Sequence, residues 1–399
     1  MSAVGLIGII LCLAALPFYP PARTQRGLLL FACLLVLHIA ASVAFYEYAL
    51  TSSADASLYY FDATGLRRSE MGFGTIFTIK LVQAVKAVIG GTYLDFFLIF
   101  QTFGFWGLLF FQRCIEHAQR HFGDAITPPP YWLLFLPGLH FWTGAIGKDA
   151  PLFLCVGLAT WASIRLSSRA IWFAVAVAIM LFFRPHIALL AAGALAGAAL
   201  FGSKSSLIVK AFLVAVCIGA LAIVAGTVEK SLIVDLSDPA SVGAFLEQQQ
   251  QRAGWIPGAT NLQNSFFLVR LFSLLFRPLF IDAGGIFGLV SSFENLAYIV
   301  VIGFMTWNWR EGVQLFRAAL EYRFAFFFAL TLTVLLALTY YNVGLGLRQK
   351  TMMMPALLSF FAAQWMLHRA RINYWTYAAG ADRSVAETDH PVDSPVSAR

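Results

Sequence analysis

Long apolar runs separated by short polar turns set the pattern of this chain from its start to about residue 370. A helix needs about 20 apolar residues to cross the hydrocarbon core, and fewer where a bundle thins locally. On that criterion the pattern predicts spans near 3–19, 27–47, 93–112, 131–145, 151–166, 170–183, 187–202, 207–228, 284–307, 324–341 and 352–368. The expected fold is an all-α, polytopic transmembrane helix bundle of about eleven spans. The first run lacks a basic n-region and a convincing cleavage site, so it reads as a span rather than a signal peptide. The four segments between 131 and 202 are short, which leaves re-entrant or broken helices open there.

Residues 1–377 read as one transmembrane domain, and the polar stretch 378–399 as a disordered cytoplasmic tail. Two longer segments interrupt the alternation. Segment 48–92 carries Asp55, Asp62, Arg67, Arg68 and Glu70, then an amphipathic piece from Phe77 to Ile89 with Lys80 and Lys86, suited to the membrane surface. Segment 229–283 holds the Gln248–Gln251 run, a Gly/Pro turn at Gly254–Gly258, and an apolar piece, Phe266–Ile281, broken by Arg270, Arg277 and Pro278.

Basic residues in the tight connections give the orientation. Arg23, Arg26, Arg113, Arg120, Arg165, Arg169, Lys204, Lys210, Arg310, Arg317, Arg323, Arg369 and Arg371 all fall on one side of the predicted spans. That side is expected to be the cytoplasm, with the N-terminus outside, the C-terminus inside, and 48–92 and 229–283 as outer loops. Composition agrees with lipid as solvent: 60% of the 399 residues are hydrophobic and 12% charged, about half the charge density of a soluble domain. The net charge of +7 is spread over many short loops, which argues against nucleic acid and leaves the bilayer and anionic lipid-linked molecules as partners. The five cysteines lie in or beside apolar runs without metal-ligand spacing and read as core filler.

Four cations, Lys148, Arg184, Arg348 and Lys350, sit at span ends on the outer side, against the orientation rule. Either the orientation is inverted or they act on the outer face, and the short, consistently basic inner loops favour the second. A charge at membrane depth costs about 2–3 kcal/mol or more, so such residues face a cavity or a partner. They belong to three short constellations: Leu139-His140-Phe141-Trp142-Thr143-Gly144-Ala145-Ile146-Gly147-Lys148-Asp149, Phe183-Arg184-Pro185-His186, and Asn342-Val343-Gly344-Leu345-Gly346-Leu347-Arg348-Gln349-Lys350. Each has a plain structural reading: a helix start at Asp149 and Pro151, a snorkelling Arg184, and a glycine-rich loop with snorkelling ends. Each also has a chemical one. Arginine forks match phosphate oxygens, His186 titrates near neutral pH, and two cations after two glycines can cradle a diphosphate. Arg277 is a further candidate contact. Candidate acids and bases are Asp62, Lys148, Asp149 and Glu294; Glu294 lies inside a predicted span and should face the bundle interior. His117 and His121, with Glu116, have a spacing that can bind a metal, but a polar cytoplasmic turn is the expected reading. No resident cofactor is implied, although a divalent cation at the carboxylates is compatible with the chemistry.

At these motifs the chain resembles multi-pass proteins of bacterial exopolysaccharide and O-antigen assembly: the Wzy/EpsG-like polymerases and related GT-C-type membrane glycosyltransferases. The resemblance implies a polyprenyl-diphosphate-linked glycan as substrate, at the outer face of the bacterial cytoplasmic (inner) membrane, alongside other polysaccharide-assembly proteins. It makes Arg184, Arg348 and Lys350 diphosphate contacts, gives Lys148 the leaving group to neutralise, and puts Asp62 where an acidic residue assists the acceptor. Here the first outer loop follows the second span rather than the first, and there is no large periplasmic domain. Two other classes stay open: a transporter or flippase of lipid-linked sugars, and a non-catalytic membrane subunit of a polysaccharide complex.

Overall fold

A computed structural model of the protein describes residues 2–52, 54–61, 72–123, 126–202, 265–339 and 343–388, with isolated positions between 203 and 264. Among the described residues every regular element is a helix: α1 (Ala3–Leu13), α2 (Gln25–Thr51), α3 (Asp55–Phe61), α4 (Phe73–Ile89), α5 (Tyr93–Phe122), α6 (Pro137–Thr143), α7 (Asp149–Ser163), α8 (Leu166–Phe183), α9 (Pro185–Leu200), α10 (Phe267–Phe276), α11 (Gly285–Trp307), α12 (Trp309–Ala318), α13 (Leu320–Thr339), α14 (Val343–Lys350) and α15 (Met354–Thr388). Five of these, α2, α5, α8, α11 and α13, are long and apolar enough to cross a membrane. Large side chains such as Leu29, Val36, Ile171 and Val300 are exposed on them, as lipid-facing positions must be.

Local chemistry explains where these helices begin and end. Thr24 caps α2 by accepting from the Gly27 amide at 3.1 Å. Thr92 and Asp95 form a reciprocal capping box at the start of α5. The same Asp95 accepts from the Ser2 hydroxyl at 2.7 Å, tying the first turn of α1 to the first turn of α5. Pro17 and Pro20 end the first apolar run early: α1 stops at Leu13 and short 3-10 turns follow, so the expected span 3–19 is split.

The stretch expected as a span over 131–145 is likewise broken. A 3-10 segment, Tyr131–Phe135, is followed after Leu136 by the seven-residue α6, whose first residue is Pro137. The described residues of segment 48–92 include the helices α3 and α4, and α4 packs on α8 with Phe77 stacked on Phe182 at 5.0 Å. The last helix starts at Met354 and runs to Thr388, past the position 377 at which the sequence pattern ends the bundle. The expected span 207–228 and the candidate base Asp62 lie outside the described residues.

The 30-residue α5 is the central post, buried along most of its length. Its closest neighbour is α7, and the approach depends on Gly107. A Cβ there would sit 2.5 Å from the Phe153 ring, inside any real contact distance. Ionisable residues gather at the two ends of the bundle. One end carries Arg113–Glu116 at 2.9 Å, His117–Glu321 at 3.1 Å and Arg371–Glu311 at 2.7 Å. The other carries Asp55, Lys148, Asp149, Arg184 and Arg348.

Candidate functional site

The second of these ends is built from four separate stretches of chain. Asp149 is the first residue of α7, where the unpaired amides of a helix start favour a carboxylate. It is only 3% exposed, so it needs cationic partners. Arg184 supplies one. Pro185 forbids α8 from continuing, which leaves Arg184 extended (φ −148°, ψ 90°) as the hinge between α8 and α9. From there its Nη2 reaches Asp149 Oδ1 at 3.2 Å. Arg348 of α14 supplies the other, donating through Nε to Asp149 Oδ2, while its Nη1 donates to Asp55 Oδ2 at 2.6 Å. Lys148 points to the neighbouring α4, where its Nζ donates to Thr75 Oγ1 at 2.7 Å.

One carboxylate thus sits between two guanidiniums, and a second guanidinium arm is shared with Asp55. Three cations (Lys148, Arg184, Arg348) face two carboxylates (Asp55, Asp149), an excess of one positive charge. The electrostatics follow from that count. Burial alone would raise the Asp55 pKa, but Arg348, helped by Lys148 and Arg184, holds it below its ordinary value. Burial would lower the Arg348 pKa, yet Asp149 and Asp55 outweigh it and keep the guanidinium charged. Lys148 is pushed down to about 8, by burial first and by Arg184 next, with Asp149 opposing.

Asp55 is the open side of the cluster: its side chain is 54% exposed, against 4% for Asp149. A narrow cleft begins there, lined by Asp55, Asp149, Gly147 and Arg348 on its polar side and by Phe45 and Trp142 on its apolar side. The apolar wall continues as an aromatic group. Phe45 meets Phe141 at 4.7 Å and Trp142 at 5.8 Å, and Phe287 closes on Tyr48 and Phe141 at 5.6 and 5.4 Å. Such faces suit sugar rings or an isoprenoid chain.

Of the residues singled out from sequence, Lys148, Asp149, Arg184 and Arg348 come together, with the half-buried His186, the second residue of α9, beside them. Lys350 does not join them. It was expected beside Arg348 in a glycine-rich loop, but that segment is helical, and residues two apart on a helix do not face each other. Lys350, 2% exposed, instead donates to Leu275 O at 3.2 Å and to the Asn295 side chain, with its Nζ 5.0 Å over the Tyr298 ring.

Glu294 belongs to that second group. It is 7% exposed, accepts from the Tyr298 hydroxyl, and accepts from the Gly138 amide at 2.5 Å. It does face the bundle interior, but toward α6 rather than the arginine cluster. Arg277 forms a local pair with Asp282 at 2.5 Å. His117 pairs with Glu321, and His121 contacts the His117 carbonyl at 3.1 Å. Among the described residues no three His, Cys, Asp or Glu side chains gather as a metal-ligand set.

Asp55, Tyr59 and Thr75 were not singled out as site residues from sequence, although Asp55 lies only seven residues before Asp62. Tyr59, 2% exposed, lies against Gly147 at the cluster's edge. Compared with protein-family models, curated proteins and solved structures, the chain has no match in any of the three.

Proposed function

We propose that this chain is a membrane glycosyltransferase, of polysaccharide-polymerase type, acting on polyprenyl-diphosphate-linked sugars. The observation that carries the reading is the Arg184–Asp149–Arg348–Asp55 chain of ion pairs, with an excess of positive charge, beside an aromatic wall at one end of an apolar bundle. In this reading that end is the outer face of a bacterial inner membrane, with about eleven spans, the N-terminus outside and the C-terminus inside.

The chemistry needs little beyond these groups. The bond between the anomeric carbon and the diphosphate oxygen breaks, and the electron pair leaves with the diphosphate. An acceptor hydroxyl forms the new glycosidic bond and gives up its proton. Arg184 and Arg348 hold the charge that develops on the leaving group, with Lys148 adding to the field. Asp55, ionised and partly open to the cleft, accepts the hydrogen bond from the acceptor hydroxyl and takes the proton toward solvent. Asp149 touches neither sugar; it positions the two guanidiniums. Phe45 and Trp142 line the cleft, and Tyr48, Phe141 and Phe287 extend its apolar side, where the lipid tail and sugars enter in this reading.

The direct test is binding and turnover of a polyprenyl-diphosphate sugar by the purified chain in liposomes. Release of polyprenyl diphosphate by wild type, and its loss per folded molecule in Arg348→Ala, supports the reading. No release and no binding by the wild-type chain, in the presence of acceptor glycan and divalent cation, refutes it.

A further inference from the structure

His38 of α2 and His140 of α6 are both fully buried, 102 residues apart in sequence, with Nδ1 facing Nδ1 at 3.2 Å. Each ring is anchored at its other nitrogen by a backbone carbonyl: His38 Nε2 lies 3.0 Å from Gln101 O, and His140 Nε2 lies 2.7 Å from Leu134 O. A carbonyl oxygen only accepts, so each Nε2 must carry a proton. Those two protons use up the supply of two neutral imidazoles. Both Nδ1 atoms would then present lone pairs to each other at hydrogen-bonding distance. Moving a proton to one Nδ1 cures that contact but sets the bared Nε2 against a carbonyl. Three contacts need three protons, and two neutral rings bring only two.

We propose that the His38–His140 pair is a buried proton-binding site, holding one proton between the two Nδ1 atoms as an imidazole–imidazolium pair. The Gln101 and Leu134 carbonyls stabilise the resulting charge through charge-assisted hydrogen bonds. The ionisable groups on surrounding elements lie one step away. Glu294 and Tyr298 of α11, with Lys350 of α14, reach α6 at Gly138, two residues before His140. Cys12 of α1 reaches the other side through the Gln101 side chain at 3.1 Å.

The site has a mechanical consequence. Among the described residues, the histidine pair and the Ser42 hydroxyl, which donates to Gly144 O at 2.6 Å, are side-chain hydrogen-bonded ties between α2 and the segment leading into Lys148 and Asp149. They lie beside the aromatic contacts of Phe45 with Phe141 and Trp142. Occupancy by the proton therefore adds one of the ties that hold that turn.

The test is nitrogen NMR on the full chain, labelled with 15N-histidine, held in lipid nanodiscs and stepped from neutral pH to the acid end of its folded range. The expected result is three ring N–H protons on this pair, both Nε2 plus one shared between the Nδ1 atoms, with scalar coupling across the Nδ1···Nδ1 bond. That coupling identifies the pair in the wild-type protein, so the result stands even if His38→Gln or His140→Gln fails to fold. Raising the pH should convert the pair to two ring protons and abolish the coupling. Two ring protons and no coupling throughout the folded range, including its acid end, overturns the proposal.

Discussion

Asp149 and Arg348 are bonded to each other across 199 residues of sequence, and Arg184 takes the remaining oxygen of the same carboxylate. This fixes the start of α7, the break between α8 and α9, and the short α14 to a single point. It also means that each arginine is already neutralised in part. In the proposed reaction an anionic ligand would compete with Asp149 and Asp55 for donors that are held ready in place.

Removing one partner from that point leaves buried charge behind. Arg348→Ala and Asp149→Asn should each lower stability by about 3 kcal/mol, the scale for breaking a buried pair. The double variant should cost clearly less than the sum, because the same bond is lost only once. Thermal unfolding of the solubilised chain checks both.

Arg348 and Lys350 should separate in a functional assay despite lying two residues apart. Arg348→Ala should reduce transfer about 100-fold or more, the usual loss for a donor to developing negative charge. Lys350→Met should act on folding instead, because its ammonium lies among Leu275, Asn295 and Tyr298. Turnover per folded molecule, with protein quantified in the membrane, distinguishes them.

Lys148 gives the pH dependence its sign. Its folded pKa of about 8 lies below the ordinary lysine value, so between the two the unfolded chain holds a proton that the folded chain has released. Its contribution to stability therefore rises as pH increases from about 8 toward the ordinary value. Transfer should move the other way, falling above about 8 as the ammonium loses its charge. Lys148→Arg, if active, should remove that alkaline fall, and Lys148→Met should flatten the stability profile over the same window. A rate profile and a melting profile against pH measure these.

Gly138 is set by Glu294. A Cβ at position 138 would lie 2.7 Å from Glu294 Oε1, so Gly138→Ala must push the carboxylate from its amide partner. The expected cost is about 1–3 kcal/mol, the usual range for overpacking. In a Glu294→Ala background the penalty should largely vanish, which comparative melting of the four proteins reveals.

The all-helical, membrane-spanning character was legible because apolar runs carry it directly. The two-ended distribution of charge was legible too, because basic residues in short loops mark helix ends. Lys148, Asp149, Arg184 and Arg348 stood out for the same reason: charges at span ends need partners. What stayed hidden depended on rotation and fold-back. The helical turn of α14 points Lys350 away from Arg348, and no count of glycines before Arg348 discloses that. Asp55 was only one of several charges in segment 48–92, and it is α3 that brings it to Arg348, 293 residues away. The pairing of His38 with His140 was equally invisible, because nothing local marks a histidine in one apolar run as the neighbour of a histidine in another.

In the proposed function the arginine–carboxylate cluster handles lipid-linked glycan. Mass spectrometry of polyprenyl-linked glycans tests this in cells lacking the chain, left empty or complemented with wild type or Arg348→Ala. The expected result is one complete repeat unit accumulating on the lipid, with long polymer lost, in both the empty and the Arg348→Ala strains while the variant protein remains in the membrane. An unchanged lipid-linked pool with intact polymer in those two strains would contradict it.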